Sequence, residues 1–296
     1  MNPNFPPGLS IFHSSCPPTF RFALDADVKD PGGFLSAEAQ DSAIAKFGIA
    51  GRIWEAAYVL MLYVRNLDAF EFDPRIDFGP RAVAVELGAG TGAAGLALAA
   101  AHPYARVVLT DLPEVCPLLQ NNARGYPGVE VRALAWGCTA HARALRDELG
   151  LTPISHIICS DLVYFPELLA PLLRTLLHLT TPSQSSASLG TCPKVIMSYK
   201  IRSLSKETAF WSAFGLWFTF VPVFWRARAE DNRSWERFDA GGDGEVFLFV
   251  AGRKEESFFW TVPEDDVALL EGVGAKGTYD DRFELLLLMN EYRACE

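Results

Sequence analysis

The chain has 296 residues, of which 50% are hydrophobic and 21% are charged, so it is expected to fold around a sizeable core rather than to be disordered. Its net charge of −10 includes no run of Lys or Arg, which makes free RNA or DNA a poor candidate partner and favours a protein. The uncharged stretches 87–105 and 209–225 are broken by Gly and Pro, so no membrane span and no membrane partner are expected.

The cysteines and the start of the chain indicate the compartment. The six cysteines form no CxxC pair and no zinc-ligand spacing with His, which favours reduced thiols and predicts no metal site. No positively charged segment precedes an apolar one near the N-terminus, so secretion is not expected. We predict a monomeric protein of the cytoplasm, with the nucleus as a second location.

The first part of the chain carries weaker patterns. Residues 1–18 are rich in Pro and Ser and are predicted to be a flexible tail. Residues 19–28 alternate apolar and polar side chains, and a turn signal follows at 30–33, so an N-terminal hairpin is predicted to cover the entrance of the domain. Apolar residues then recur at helical spacing from Gly51 to Leu67.

From residue 81 onward, nearly continuous apolar strands alternate with helices, which predicts an α/β fold with a parallel sheet covered on both faces. The predicted strands are 81–87, 106–110, 129–134, 156–159 and 193–199, and the predicted helices between them are 91–101, 113–124, 139–149 and 166–179. A Ser-rich loop spans 181–191, and helix 205–214 precedes a terminal antiparallel pair at 217–223 and 245–251. Residues 253–296 form a C-terminal extension with a helix predicted at 281–291.

Five small or acidic positions mark a candidate ligand loop: Glu86, Gly88, Gly90, Gly92 and Gly95 lie between a predicted strand and a predicted helix. Glycines permit a sharp turn and the close approach of a ligand, and the helix N-terminus after them offers unpaired N–H groups. The pattern fits the pyrophosphate of a dinucleotide, the amino-acid tail of S-adenosylmethionine, or a glycine-rich turn without a ligand.

Two acidic residues favour S-adenosylmethionine over NAD. Asp111 follows the second strand, 23 positions after Gly88, where a carboxylate accepts both hydrogen bonds of a ribose diol. Glu86 precedes the first glycine by two positions, so its charge would repel a pyrophosphate and attract the ammonium of a methionine moiety. S-adenosylmethionine is therefore the expected cofactor.

Five motifs in order resemble the family-16, seven-β-strand protein lysine methyltransferases, the group acting on chaperones, AAA ATPases and elongation factor 1-alpha. These motifs are Gly51-Arg-Ile-Trp54-Glu-Ala-Ala, Glu86-Leu-Gly-Ala-Gly-Thr-Gly92, Thr110-Asp-Leu-Pro113, Ala135-Trp136-Gly137 and Ser160-Asp161-Leu-Val-Tyr164. The resemblance spans about 19–252. It implies a doubly wound, mostly parallel seven-stranded sheet of the Rossmann-like class I methyltransferase type, and methyl transfer to a lysine of a partner protein such as elongation factor 1-alpha or a chaperone or ATPase.

The resemblance also implies the site. Asp161 and Tyr164 match the family's Asp-x-x-Tyr at the mouth where the lysine enters, and are the predicted catalytic residues. The implied cofactor-binding residues are Trp54, Glu86, Gly88, Gly90, Thr91, Asp111, Leu112, Trp136 and Ser160. The 44 residues after Gly252 and the Ser-rich loop depart from the family and leave the exact substrate open.

Methyl transfer to an amine requires alignment of a neutral nitrogen more than acid–base groups. A carboxylate beside an amine raises the pKa of that amine, so Asp161 is not expected to deprotonate it. Asp161 is predicted instead to orient the amine by a hydrogen bond. Desolvation near the cationic sulfur then promotes loss of the proton to water. Tyr164, one helical turn onward, is predicted to supply an aromatic wall or a hydroxyl contact.

Two of the implied site residues also have a purely structural interpretation. Asp161 fits an N-cap of the following helix, and Trp54 fits ordinary core packing on a helix. Arg202 and Lys206 are interpreted as solvated or paired with nearby acids, with contact to the substrate as the minor alternative. A methyltransferase acting on a small molecule, or a non-catalytic docking module that keeps the fold, are the alternatives for the whole chain.

Overall fold

The computed structural model describes residues 4–17, 33–150, 152–182, 192–228, 234–238, 246–276 and 283–284. Its strands are β1 (Phe70–Asp73), β2 (Val83–Leu87), β3 (Arg106–Asp111), β4 (Val129–Ala133), β5 (His156–Ser160), β6 (Lys194–Lys200), β7 (Phe218–Pro222), β8 (Phe224–Ala227), β9 (Glu236–Arg237) and β10 (Val246–Arg253). Its α-helices are α1 (Ala37–Phe47), α2 (Glu55–Arg65), α3 (Ala93–Ala101), α4 (Cys116–Asn122), α5 (Thr139–Leu149), α6 (Pro166–Thr180), α7 (Leu204–Trp217) and α8 (Asp266–Leu270). Short 3₁₀ turns occupy Gly48–Gly51 and Glu255–Phe259.

The central sheet has seven strands in the order β4-β3-β2-β5-β6-β10-β7. Strands β2 to β6 pair in parallel, whereas β10 is antiparallel to both β6 and β7. This confirms the predicted α/β fold, the doubly wound sheet and the terminal antiparallel pair. Because the chain order reverses beside β2, a crevice forms beyond the carboxyl ends of β2 and β5, where open α/β sheets bind their ligands.

Hydrophobic layers cover both faces of the sheet, as the continuous apolar strands predict. In β5, Ile158 faces the layer that contains α2 and α3, while Ile157 and Cys159 face the layer that contains α5, α6 and α7. The small residues of α3 allow α2 to pack closely against it, and nearly all of α2 is buried. The sheet is therefore held rigidly between two layers and fixes the loops at its carboxyl edge.

Several elements differ from the sequence predictions. The predicted strand at 19–28 lies outside the described residues, and the chain enters α1 directly after the predicted turn, so the returning arm of a hairpin is not found there. Ser36 starts α1 by accepting a hydrogen bond from the Ala39 N–H at 3.2 Å. A second, antiparallel sheet of order β1-β8-β9 was not predicted.

Residues 4–17, part of the predicted flexible tail, lie against the segment from α1 to α2. The carbonyl oxygen of Asn4 accepts a hydrogen bond from the Ile49 N–H at 2.9 Å, and the Ser14 carbonyl accepts one from the Gln40 amide at 3.0 Å. In this position the segment contributes Asn4 and Leu9 to the cavity described below.

The C-terminal extension packs back on α6 and α7 through α8. Arg174 of α6 is buried and donates hydrogen bonds to Asp266 at 2.7 Å and to the Glu264 carbonyl at 2.8 Å. The predicted helix at 281–291 lies almost wholly outside the described residues, as does most of the Ser-rich loop. Within the described ranges, no single helix is long and apolar enough to cross a membrane; Ala37–Gly51 and Glu55–Arg65, bent by 86°, meet the criterion only as a pair.

Candidate active site

A cavity of about 560 Å³ opens at the carboxyl edge of the sheet, beside the ends of β2, β3, β5 and β6. All of the residues predicted to bind a cofactor or to act in catalysis line this cavity. They come from the segment before α2, from the glycine loop, and from the loops after β3, β4 and β5. The structure thus brings the predicted site together, while the role of each residue toward a ligand stays a prediction.

The glycine loop after β2 turns through conformations that favour glycine. Gly88, Gly90 and Gly92 have φ of +53°, +56° and +78°. A Cβ atom on Gly88 would lie 2.5 Å from Cζ2 of Trp136, and one on Gly90 would lie 2.9 Å from the Ala50 carbonyl oxygen. The absence of side chains at both positions therefore creates a cradle under the Trp136 indole and beside the turn before α2.

Glu86 is buried at the end of β2 and faces both the cavity and α3. Its Oε2 accepts a hydrogen bond from the Gly95 N–H in the first turn of α3 at 2.8 Å. Burial raises the pKa of this carboxyl to about 8. Glu86 therefore connects the strand to the helix N-terminus, a structural role that the sequence analysis did not predict, and a cation placed beside it would stabilise its ionised form.

Asp111 ends β3 and holds the other side of the loop. Its Oδ2 accepts a hydrogen bond from the Gly90 N–H at 2.8 Å, and its Oδ1 accepts one from the Leu112 N–H at 2.7 Å. Burial raises the pKa of Asp111 to about 6. Each carboxylate oxygen keeps a further lone pair, so both remain available to a ribose diol.

These residues fit S-adenosylmethionine. The glycine cradle provides the close approach that an amino-acid tail needs, and Glu86 is a buried acid that an ammonium group would neutralise. Asp111 is placed to accept hydrogen bonds from hydroxyls, and Leu112, Leu134 and Trp136 offer apolar surface for a planar base. A pyrophosphate would meet the carboxyls of Glu86 and Asp111, whereas the cations that line the cavity, Arg52, Arg202 and Lys206, come from other elements; this agrees with the preference drawn from the sequence.

Asp161 lies just after β5, and a cation balances its charge. Its side chain has no exposed surface, and its carboxylate accepts hydrogen bonds from Arg202 Nη1 at 2.7 Å, from Arg202 Nη2 at 2.5 Å and from the Lys200 N–H at 3.2 Å. Helix α6 begins at Pro166 with Phe165 at its N-cap and no side-chain cap. The N-cap alternative for Asp161 is therefore wrong, and the pairing expected for Arg202 is confirmed.

The backbone around Tyr164 also differs from the prediction. Residues 161–165 are not helical, so Tyr164 is not one helical turn beyond Asp161; its ring contacts Phe165 with centroids 4.7 Å apart. Burial, together with the nearby charges of Asp111 and Asp161, raises the pKa of Tyr164 and keeps its hydroxyl protonated at neutral pH.

Trp54 is the N-cap residue of α2, so the alternative of core packing on a helix face is wrong. Its Nε1 donates a hydrogen bond to the Ile49 carbonyl at 3.1 Å. The Arg52 and Arg202 guanidiniums lie 4.4 Å and 5.1 Å from the centroid of its ring, so two cations contact one indole. Trp54 forms a half-buried wall of the cavity rather than part of the core.

The loop after β6 and the start of α7 form a further side of the cavity, and none of their residues was among the predicted site residues. Arg202, Lys206 and Glu207 line it, and Glu207 is buried. The available signal was positional, since these charged residues follow β6 and the carboxyl ends of parallel strands share one edge of the sheet.

Comparisons with known proteins identify the family of the chain. A family model described as lysine methyltransferase matches residues 38–214, more than half of the chain. EEF1A lysine methyltransferase 3 of Mus musculus is 34% identical over 142 residues, which cover 47% of this chain and 54% of that protein. Protein N-lysine methyltransferase METTL21A of Xenopus tropicalis is 28% identical over 186 residues, which cover 61% and 74%. The chain thus spans between about half and three quarters of the length of these two relatives.

Proposed function

Because this chain belongs to the lysine methyltransferase family, we propose that it transfers a methyl group from S-adenosylmethionine to the ε-amine of a lysine in a partner protein. The observation that carries the proposal is that one cavity joins the glycine cradle, Glu86 and Asp111 to Asp161 and Tyr164. One end of this cavity suits a charged nucleoside, and the other is open to an entering side chain.

The predicted cofactor-binding residues would contact different parts of S-adenosylmethionine. Glu86 would hold the ammonium, Asp111 the ribose hydroxyls, and Leu112 and Trp136 the adenine, while Gly88 and Gly90 allow close approach. When bound, S-adenosylmethionine supplies a methyl group on a cationic sulfur; the amine nitrogen takes up this methyl while the carbon–sulfur bond breaks and sulfur keeps the electron pair.

The remaining contributions belong to the chain. Asp161 offers a fixed hydrogen-bond acceptor for the amine, and the Tyr164 ring and the Trp54 indole exclude water from its alkyl stem. A desolvated amine loses its proton more readily, because burial disfavours the charged form. The proton leaves to water, since Tyr164 stays protonated at neutral pH and does not act as a base.

The relatives' names suggest the class of substrate. One is named for lysine methylation of EEF1A, and the other is named a protein N-lysine methyltransferase. We propose elongation factor 1-alpha as the first substrate to test and a chaperone or AAA ATPase as the second, with the enzyme acting as a monomer in the cytoplasm or nucleus.

Tritium-labelled S-adenosylmethionine tests the proposal. The purified protein should label purified elongation factor 1-alpha or a discrete band of a dialysed cell lysate, and mass spectrometry should place the methyl group on a lysine. Asp161→Ala should abolish the label. Asp147→Ala, which changes an exposed acid of α5, should leave it unchanged. Label in filtered metabolites instead of protein would favour a small-molecule enzyme, and no label in any fraction would contradict methyl transfer.

A further inference from the structure

The Asp161 carboxylate, which lines the cavity, is already balanced by a cation. The Arg202 guanidinium meets both oxygens of Asp161 in a bidentate ion pair, at 2.7 and 2.5 Å. Asp161 itself has φ of +60°, which few residues other than glycine adopt, and its N–H donates to the Ser198 carbonyl at 2.8 Å. The carboxylate is thus fixed on the backbone side and paired on the cavity side.

Arg202 is fixed in turn by neighbours from three elements. Its guanidinium lies 5.1 Å from the Trp54 ring centroid, and its Nη1 donates to the Lys200 carbonyl at 3.1 Å. Its backbone N–H donates to the buried Glu207 carboxylate at 3.3 Å. Glu207 also accepts hydrogen bonds from the Ser203 N–H and from the Tyr199 hydroxyl. This network holds a positive charge at a defined point of the cavity wall.

A lone carboxylate at this point would oppose catalysis. An opposite charge within about 4–6 Å favours the charged form of a lysine, and an ammonium has no lone pair with which to attack a methyl group. The carboxylate paired with a guanidinium has no net charge, and Oδ2 of Asp161, which accepts a hydrogen bond from Arg202, keeps a further lone pair. It can therefore orient the amine without stabilising the ammonium form.

We propose that Arg202 is a positioning residue that neutralises Asp161 and thereby keeps the pKa of the entering lysine low enough for the amine to react. The proposal rests on the proposed methyl transfer to a protein lysine. The titratable and charged groups that face this part of the cavity from the surrounding elements are Arg52, Glu86, Asp111, Asp161, Tyr164, Arg202, Lys206 and Glu207. Among these, Arg202 alone makes an ion pair with Asp161 within the described residues.

The pH dependence of methyl incorporation separates this role from a structural one. Initial rates from tritiated S-adenosylmethionine into dialysed lysate protein would be measured from pH 6.5 to 9.5 at saturating lysate. Arg202→Gln should move the rising limb of the profile upward by about one unit or more, which lowers the rate about 10-fold near pH 7 and restores it at high pH. Arg202→Lys keeps the charge and should stay within about half a unit of the wild type.

The double variant is the decisive arm. Asp161→Asn with Arg202→Gln removes both charges, so its rate should be low but its profile should return to within about half a unit of the wild-type position. It also leaves no unpaired buried charge and should fold even where Arg202→Gln does not. Arg174→Gln, which breaks the ion pair of the buried Arg174 with the exposed Asp266 outside the cavity, is the control and should leave the profile in place.

Two results would overturn the inference. A rate for Arg202→Gln that is reduced equally at every pH indicates a structural role, and a raised rate indicates that Arg202 merely occupies the place of the amine. Calorimetry should show S-adenosylmethionine binding within threefold of the wild type for every variant. If the wild type labels no protein, the proposed function fails; if it labels protein and the profiles coincide, the inference on Arg202 alone fails.

Discussion

The cavity has two halves that are assembled in different ways. In the half beside β2 and β3, Glu86 and Asp111 accept hydrogen bonds from backbone N–H groups of the glycine loop and of α3, and burial raises the pKa of both acids. In the half beside β5 and β6, Asp161 accepts hydrogen bonds from a guanidinium, and Trp54 lies beside two arginines. The first half thus presents acids that form no salt bridge within the described residues, whereas a guanidinium already balances the acid of the second half.

The largest expected effect tests the first half directly. Asp111→Ala removes the acceptor for the Gly90 N–H and the predicted ribose ligand together. We expect S-adenosylmethionine to bind at least 100-fold more weakly, which corresponds to about 2.7 kcal/mol, in a calorimetric titration. Glu114→Ala alters an exposed acid three residues away and should bind as the wild type does. An Asp111→Ala affinity within threefold of the wild type would remove Asp111 from the cofactor site.

A smaller loss should follow from filling the glycine cradle. Gly88→Ala places a methyl group 2.5 Å from the Trp136 ring at a φ of +53°, so both the loop and the indole must move. We expect cofactor affinity to fall about 30-fold and the free energy of unfolding to fall by about 1–2 kcal/mol. Gly79→Ala meets no atom within 4 Å and is the matched control. Equal affinities in the two variants would show that the cradle does not contact the ligand.

The first half was also the half that the sequence could predict. Its residues follow two strands whose apolar runs identify them, and the glycines and acids stand at fixed short distances from those strands. The same reasoning gave the strands of the main sheet and the helices from α3 to α7 with small errors at their ends. Local patterns suffice where a feature depends on neighbours in the chain.

The second half could not be predicted in this way, because its contacts join distant parts of the chain. The pair of Asp161 with Arg202 depends on the adjacency of β5 and β6. Trp54 was misplaced because Gly48–Gly51 forms a 3₁₀ turn, which delays the start of α2 to Glu55. Strand β1 has four residues, too few to show a reliable alternation of apolar and polar side chains. It pairs with β8, which lies far from it along the chain.

The buried acid Glu86 should make the stability of the folded chain depend on pH. The folded chain keeps a proton on Glu86 up to about pH 8, whereas the unfolded chain releases it near pH 4.5. Because the unfolded state binds fewer protons in this interval, the stability contributed by the protonated carboxyl is lost as pH rises toward 8. Between pH 6.5 and 8.5 the wild type should lose about 1–2 kcal/mol more than Glu86→Gln in urea unfolding.

Two other groups change protonation near the lower end of this window. Burial lowers the pKa of His156 from 6.5 to about 4 and raises that of Asp111 to about 6, but both groups are present in the wild type and in Glu86→Gln, so the difference between the two curves reports Glu86. Glu38 is an exposed acid of α1, and Glu38→Gln should follow the wild-type curve. Parallel curves for Glu86→Gln and the wild type would mean that Glu86 is ionised in the free protein.

The smallest expected effect concerns Tyr164, whose role the sequence left open between an aromatic wall and a hydroxyl contact. Its ring lines the cavity and packs edge-on against Phe165, and burial raises the pKa of its hydroxyl. Tyr164→Phe keeps this packing, so its rate of methyl incorporation should stay within about threefold of the wild type at pH 7.5, whereas Tyr164→Ala should lose about 10-fold or more because water enters beside the amine. Because Tyr164→Phe removes only the hydroxyl, a loss of more than 10-fold in this variant would assign the contact to the hydroxyl and place a hydrogen-bond donor, beside the neutral Asp161–Arg202 pair, at the point where the lysine nitrogen must be held.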